Sequence, residues 1–360
     1  MDATKENLYK RQIIIPEIGL KGQQKLYDSK IAVIGCGGLG SAAAVYLAAS
    51  GVGSMHLVDY DHIDVTNLHR QVFYGLDDIG KPKARKLADH IKRISPFVQV
   101  TYSDLPITKS TIMQQLNGFS IIVDCTDSLA TKYLLNDFCV ISGKVMVYGS
   151  LYKHDGYVAT FNVNLKGQQT ANLRDAFPSI PGKHIPNCAE IGTLNPIVGI
   201  IAMMQSNEVV KIITHTGKLL TDQILIYNAM ENTQFIMKIN AGFSKEKIDS
   251  LYKSEDYFDS RCEIQENDLL ILADDLKNRI HDPDLEILSV IEDVETALPF
   301  QVTYKIPLSK LDVSTMQLNK KKELIVVCNK GITSYSATKN IKRQFPHIKV
   351  YSLKNGIENY

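Results

Sequence analysis

Short apolar runs alternate with helical windows along the first 150 residues. Residues 31–34 form one run that ends in glycines, residues 41–50 are alanine-rich and read as a helix, and residues 55–58 form a second run that ends at Asp59. Residues 82–94 have helical spacing, and residues 98–102, 121–123 and 145–148 read as further strands. Strands that are apolar throughout are buried on both faces, so this alternation predicts a doubly wound, mostly parallel sheet. Residues 157–163, 224–227 and 234–239 predict antiparallel additions around a long helix over 196–214. A polar stretch follows. Beyond it come strands near 285–291, 302–307, 324–327 and 350–353, and a helix near 334–343. The expected organisation is an α/β domain over 1–242, a linker over 243–266 and a smaller α/β domain over 267–360.

Composition narrows the function classes. The 360 residues carry 40 basic and 39 acidic side chains, which gives no global attraction to nucleic acid or an anionic membrane. The balance is local, with 14 acidic and 4 basic side chains over residues 251–300, then 3 and 11 over residues 301–360. That break marks the last hundred residues as a separate unit. The first 20 residues lack the continuous apolar stretch of a secretory signal. The richest apolar stretch, residues 194–213, holds Gln205, Ser206, Asn207, Glu208 and Lys211, and reads as a buried helix and not a membrane span. The six cysteines form no CxxC pair, so free thiols and a cytoplasmic setting are expected.

The sharpest local signal is Gly35-Cys36-Gly37-Gly38-Leu39-Gly40, a GxGxxG that follows a strand and opens a helix, with Asp59 at the end of the next strand. Glycines let the backbone approach phosphates, the helix N-terminus offers N–H groups, and the acid can accept from ribose hydroxyls. This points to a nucleotide on a Rossmann-like fold. A nicotinamide-dependent dehydrogenase is the first alternative. The residues downstream favour ATP: Asn67-Leu68-His69-Arg70-Gln71 and Lys81-Pro82-Lys83 add cations that hydride transfer does not require but a breaking triphosphate does. Asp124 and Asp127, after a central strand, are candidate metal-holding acids.

Taken together, Arg11-Gln12-Ile13, Gly35–Gly40, the run 57–61, Asn67–Gln71, the run 80–83, the run 124–127 and Cys188-Ala189-Glu190 resemble the ThiF/MoeB family, bacterial relatives of ubiquitin-activating enzymes. The resemblance covers residues 8 to about 240. It implies Mg2+- and ATP-dependent adenylation of the C-terminal glycine of a ubiquitin-like sulfur carrier protein ending in Gly-Gly, for molybdenum cofactor or thiamine biosynthesis. It also implies a homodimer. Carried over residue by residue, Gly35, Gly37, Gly38 and Gly40 pack close to the nucleotide and Asp59 holds the ribose. Asn67, Arg70 and Lys83 contact the phosphates, Asp127 binds magnesium, and Arg11 reaches the nucleotide of the partner subunit. Cys188 matches a cysteine near the family's active site; a covalent link to the carrier and a plain loop thiol are both open there.

The sequence departs from the family in one respect. Many members bind zinc through two CxxC pairs; here the first place reads Asn172-Leu173-Arg174-Asp175 and residues 240–247 hold no cysteine. No structural zinc is expected, and packing alone is expected to hold this flap.

Residues 324–334, with Cys328 at the end of an apolar strand before a short loop and a helix, resemble a rhodanese domain. Loop N–H groups and the helix N-terminus can stabilise a thiolate or persulfide. Asn329 replaces a frequent arginine, and residues 289–291 lack the usual acid and arginine. Cys328 is therefore either the sulfur-carrying residue, loaded by a donor such as a cysteine desulfurase, or a relic in a docking domain. The two alternatives for the whole chain are an NAD-dependent oxidoreductase and a non-catalytic carrier-binding scaffold.

Overall fold

The computed structural model describes residues 5–180, 192–257, 267–316, 318–319, 322–329 and 331–360. The chain divides into two compact units, residues 1–257 and 258–360.

In the first unit, α1 (Lys5–Ile13) and α2 (Gly19–Asp28) lead into β1 (Lys30–Ile34), α3 (Gly38–Ala49), β2 (Ser54–Val58), α4 (Lys83–Ile94) and β3 (Gln99–Ser103). Then come α5 (Ile112–Leu116), β4 (Ile121–Asp124), α6 (Leu129–Ser142), β5 (Val145–Tyr152) and β6 (Asp155–Phe161). A small hairpin, β7 (Asn164–Leu165) and β8 (Gln168–Gln169), precedes α7 (Leu173–Ala176), α8 (Asn195–Thr214), β9 (Gln223–Asn228), β10 (Thr233–Lys238) and α9 (Lys245–Ser254). The main sheet has the order β10-β9-β6-β5-β4-β1-β2-β3. Its strands are parallel from β3 to β5, and β6, β9 and β10 add antiparallel. The chain order reverses between β1 and β4. At such a switch point the loops after the two strands diverge and leave a crevice at their C-terminal ends.

The expected fold class holds, and burial explains it. Ile31, Val33, Leu57, Val123 and Val147 are inaccessible in the cluster on one face of the sheet, and Ala32, Ile34, Val58, Ile122 and Met146 are buried in the cluster on the other. The helix α8 is apolar and long enough, by length and composition, to cross a membrane. Here it buries Ile197, Val198, Ile201, Ala202 and Val209 against α3, β5 and β6. Its Gln205 Nε2 donates to Asp124 O (2.8 Å), and this main-chain partner accounts for a buried amide in an apolar helix.

Two expectations are corrected. The stretch assigned to a linker begins with α9, whose Ser244 caps it through the Lys247 N–H, and Tyr257 is buried against Asp137 within the first unit. The flap is not held by packing alone. Arg174, fully buried, donates to both oxygens of Asp137 (Nε–Oδ1 2.8 Å, Nη2–Oδ2 2.6 Å) and to Glu255 (Nη2–Oε2 2.7 Å). Asp175 Oδ1 accepts from the N–H groups of Gly242 (2.7 Å) and Phe243 (2.8 Å). Ionic and hydrogen bonds therefore tie residues 172–175 to residues 242–257. A fully buried guanidinium demands this, since its N–H groups must all find acceptors once water is gone.

The second unit is a five-stranded parallel sheet. Its elements are β11 (Leu270–Ile271), α10 (Ala273–Arg279), β12 (Leu285–Ser289), β13 (Tyr304–Lys305), β14 (Glu323–Val327), α11 (Ile332–Gln344) and β15 (Val350–Leu353). The strand order is β11-β15-β14-β12-β13. Leu324 and Val326 face one apolar cluster with Ala337 and Ile341 of α11; Ile325 and Val327 face another with Leu276 of α10. This two-sided burial makes β14 the central strand. Cys328 is the first residue past its C-terminal end.

Candidate functional site

The glycine loop leaves β1 at the switch point. Gly35 has φ +87°, and a Cβ there would lie 2.7 Å from Cys125 O. At Gly40 the constraint is closer still: a Cβ would sit 1.7 Å from Gly35 O, so only glycine lets α3 start this near the strand. Arg70 packs its backbone over Gly38. Gly37 sits beside the Gln71 side chain. Gln71 is buried, and its Oε1 has no partner among the described residues.

Asp59 lies at the end of β2, beside β1, and is nearly inaccessible. Its Oδ2 accepts from the Cys36 N–H (2.6 Å) and its Oδ1 from the Asp61 N–H (2.8 Å), so the acid holds the glycine loop. Burial pushes its carboxyl up to about 6, against the pull of Lys83. Lys83 is the first residue of α4, after Pro82, and its Nζ donates to Asp61 Oδ2 (3.0 Å). Burial opposes the ammonium, but the charges of Asp59, Asp61 and Asp127 outweigh it and hold Lys83 above its ordinary value. Tyr74, which sequence reasoning missed, donates its hydroxyl to Cys36 O (2.7 Å) and lies within 3.4 Å of Lys83 O. No local pattern marks it. Its role follows from the fold bringing residues 36, 74 and 83 together.

Asn67 closes a short turn, its Oδ1 accepting from the Asp64 N–H (3.3 Å). Arg70, half-buried, donates from Nη1 to Thr66 O (3.0 Å). The two acids at the end of β4 and just beyond it separate clearly. Asp124 is fully buried and paired with Lys132 (2.9 Å), which also donates to Gly149 O (2.7 Å), and Thr126 caps its other oxygen. It therefore leaves the set of metal candidates. Asp127 is exposed and close enough to act on the charge of Lys83.

One sequence candidate, Arg11, is not brought together with this group. Arg11 is exposed on α1, whose neighbouring Gln12 donates to Ser50 O (3.0 Å) at the far end of α3 from the loop. Cys188 lies outside the described residues. Cys36, Cys125 and Cys139 are buried thiols raised by burial, which suits small core residues and not nucleophiles.

In the second unit Cys328 is 3% exposed. Its Sγ accepts from the Ser334 N–H (3.2 Å) in the first turn of α11 and contacts Ser334 Oγ (3.2 Å). Gly331 turns the loop at φ +78°, where a Cβ would meet Asn355 N and Gly356 N at 2.7 and 2.8 Å. The C-terminal segment straps the loop, with the Ile357 N–H on Cys328 O (2.9 Å) and the Glu358 N–H on Asn329 O (3.0 Å). Lys330, which the sequence offers as a positive charge in this loop, lies outside the described residues.

A glycine loop tied by an acid at the switch point of a doubly wound sheet defines a nucleotide-binding domain, here joined to a parallel α/β unit with a cradled cysteine. Residues 9–248 match the ThiF family and residues 272–360 the rhodanese-like domain, so the chain belongs to the ThiF family. It is 37% identical over 250 residues to the probable adenylyltransferase/sulfurtransferase MoeZ of Mycobacterium tuberculosis, an alignment covering 69% of this chain and 64% of that protein. The matched part thus spans less than two thirds of that relative. With the adenylyltransferase and sulfurtransferase MOCS3 of Drosophila grimshawi it is 31% identical over 373 residues, 97% of this chain and 82% of that one. Among solved structures, E. coli MccB with ATP superposes with a TM-score of 0.58 at 22% identity, over 67% of this chain and 73% of that one, a likeness of fold.

Proposed function

We propose that this protein uses ATP to adenylate the C-terminal glycine of a ubiquitin-like sulfur carrier and supplies sulfur to the activated glycine through Cys328. The observation that carries the first half is the buried Lys83 ammonium, set among Asp59, Asp61 and Asp127 beside the glycine loop. A cation in that place serves a reaction in which negative charge grows on phosphate oxygens.

Asp59 accepts the ribose hydroxyls. Lys83 exchanges its pairing with Asp61 for the phosphates, and Asn67 and Arg70 reorient from the backbone turn they now close. The carrier carboxylate attacks the α-phosphorus, and pyrophosphate leaves with the electron pair. An exposed hard-oxygen donor, Asp127 suits a magnesium ion that arrives with the triphosphate and takes most of its ligands from phosphate and water. When bound, magnesium neutralises charge on the leaving pyrophosphate. The exposure of Arg11 at the opposite end of α3 favours a homodimer in which it completes the partner's site. The terminal sulfur of a Cys328 persulfide then displaces AMP from the acyl-adenylate, and a second thiol reduces the resulting acyl disulfide to the thiocarboxylate. A cysteine desulfurase in the same compartment, the cytoplasm, is the proposed donor.

The test is ATP–pyrophosphate exchange with carriers ending in Gly-Gly, with and without magnesium. Carrier-dependent exchange is expected, lost in Arg70→Ala and Asp127→Ala and retained in Cys328→Ser, which makes no thiocarboxylate. Tight NAD binding without exchange would replace this reading with the oxidoreductase, and carrier binding without exchange with the scaffold.

A further inference from the structure

Three buried polar side chains meet in the interior of the second unit. Cys328 Sγ lies 3.2 Å from Ser334 Oγ, and Ser334 Oγ lies 2.8 Å from Ser352 Oγ on β15. Ser334 and Ser352 are both inaccessible to solvent, and Cys328 nearly so. A serine on β15, an inner strand of the sheet where Val350 and Leu353 are also buried, has a cost unless its hydroxyl is used.

We propose that Ser334 and Ser352 are positioning residues that form a reversible hydroxyl pair, satisfying Cys328 both as a neutral thiol and as an anionic sulfur. The inference rests on the reading of Cys328 as the sulfur-carrying residue. A hydroxyl donates one hydrogen bond and accepts others. With a neutral thiol, the S–H donates to Ser334 Oγ and the Ser334 O–H donates to Ser352. When the sulfur is anionic it can only accept. The Ser334 O–H then turns to the sulfur, and the Ser352 O–H turns to donate to Ser334. Both states are satisfied by rotating two hydrogens, with no heavy atom displaced. The Ser334 N–H, in the first turn of a 13-residue helix, donates to the sulfur throughout. Ser334 alone would lose its incoming donor each time it turned; Ser352 supplies it. The anionic state occurs twice in sulfur transfer. Cys328 thiolate attacks the outer sulfur of a donor persulfide, whose S–S bond breaks as the donor thiolate leaves with the pair. Cys328 leaves again as a thiolate when a further thiol attacks the disulfide that remains on it after the thiocarboxylate has left, that S–S bond breaking with its pair on Cys328.

The test is the pH profile of Cys328 alkylation by iodoacetamide in the full-length protein, with the other five cysteines followed by peptide mapping. Ser334→Ala keeps the N–H bond and removes only the hydroxyl. Its profile is expected to move up by about 0.5–1 pH unit, so that alkylation near neutrality slows by roughly 3–10-fold, the size of one charge-assisted hydrogen bond. Ser352→Ala is expected to move it in the same direction by less. The double variant should move no further than Ser334→Ala, because Ser352 acts through Ser334. Ser334→Thr, which keeps a hydroxyl, should restore the wild-type profile. The titratable groups on the segments around Cys328 are Glu292 and Asp293 after β12, Tyr335 on α11, Tyr351 on β15, Lys354 and Glu358. All are unchanged in these variants. Unmoved profiles, or additive shifts, overturn the pair. Thiocarboxylate formation by Cys328→Ser would instead overturn the sulfur-carrying reading, and the alkylation result would stand apart from it.

Discussion

The loop after β1 and the loop after β14 both leave a parallel strand at its C-terminal end and enter a helix through glycines that admit no side chain. They differ in what occupies the helix entrance. In the first unit the residue after the first glycine, Cys36, is turned into the core and its N–H is taken by Asp59, while Gly37, Gly38 and Gly40 keep the entrance bare of side chains. In the second unit the cysteine itself sits at the entrance and accepts the Ser334 N–H. A bare entrance suits a large anion brought from outside, such as a nucleotide phosphate. A filled entrance suits an anion formed in place on a side chain. One backbone arrangement thus suits an external phosphate in one unit and a side-chain sulfur in the other, according to what occupies the helix entrance.

The comparison can be broken at several depths. The largest effect is expected from Gly40→Ala. The added Cβ meets Gly35 O at 1.7 Å; that oxygen is backbone and the Cβ is fixed to the backbone of α3, so neither can give way. A loss of about 3 kcal/mol or more, or failure to fold, is expected in denaturant unfolding. Carrier-dependent exchange should vanish, while Cys328 stays reactive to iodoacetamide. Gly331→Ala should do the converse, since its added Cβ meets Asn355 N and Gly356 N in the other unit. If each variant impaired both readouts equally, the two loops would not be the separate devices described.

Lys83→Met comes next. It removes the cation among three carboxylates, and exchange should fall by roughly 10²–10³-fold, as when a charge-stabilising donor is lost. An activity within about twofold of wild type would place the phosphates elsewhere.

The smallest effect is the pH dependence that belongs to the first loop. Burial raises the Asp59 carboxyl to about 6, above the unfolded value of 3.8. The ionised form is the one that accepts two hydroxyls, so exchange should fall as pH drops through about 6, approaching tenfold per unit below it. The sign for stability is opposite. A raised folded value means this group favours folding most below 3.8, and that contribution is lost as pH rises through about 6. An exchange profile flat from pH 7 to 5 would remove Asp59 from the nucleotide site.

Local pattern was enough for much of this chain. Apolar runs marked β1, β2, β4 and β14 because a strand buried on both faces must be apolar throughout. The glycines of the first loop were visible because only glycine tolerates such close approach. Cys328 was visible because it ends an apolar strand. Several motifs in one order gave the family. Elements without a periodic signal, such as α6 and β11, were missed; α6 is buried nearly all round, which erases the helical stripe.

What tertiary structure alone decided are the partnerships between distant residues. In sequence Asp124 and Asp127 are equivalent acids. Only the fold buries Asp124 against Lys132 and leaves Asp127 exposed, near enough for its charge to act on Lys83. Arg174 and Asp175 looked like the mere absence of cysteines, yet they bind residues up to 81 positions away. Ser352 carried no signal at all, because a hydroxyl acquires meaning only when another polar group is brought within 3 Å of it inside a space without water. Periodicity records which face of an element is buried. It does not record which charge or hydroxyl waits on the other side.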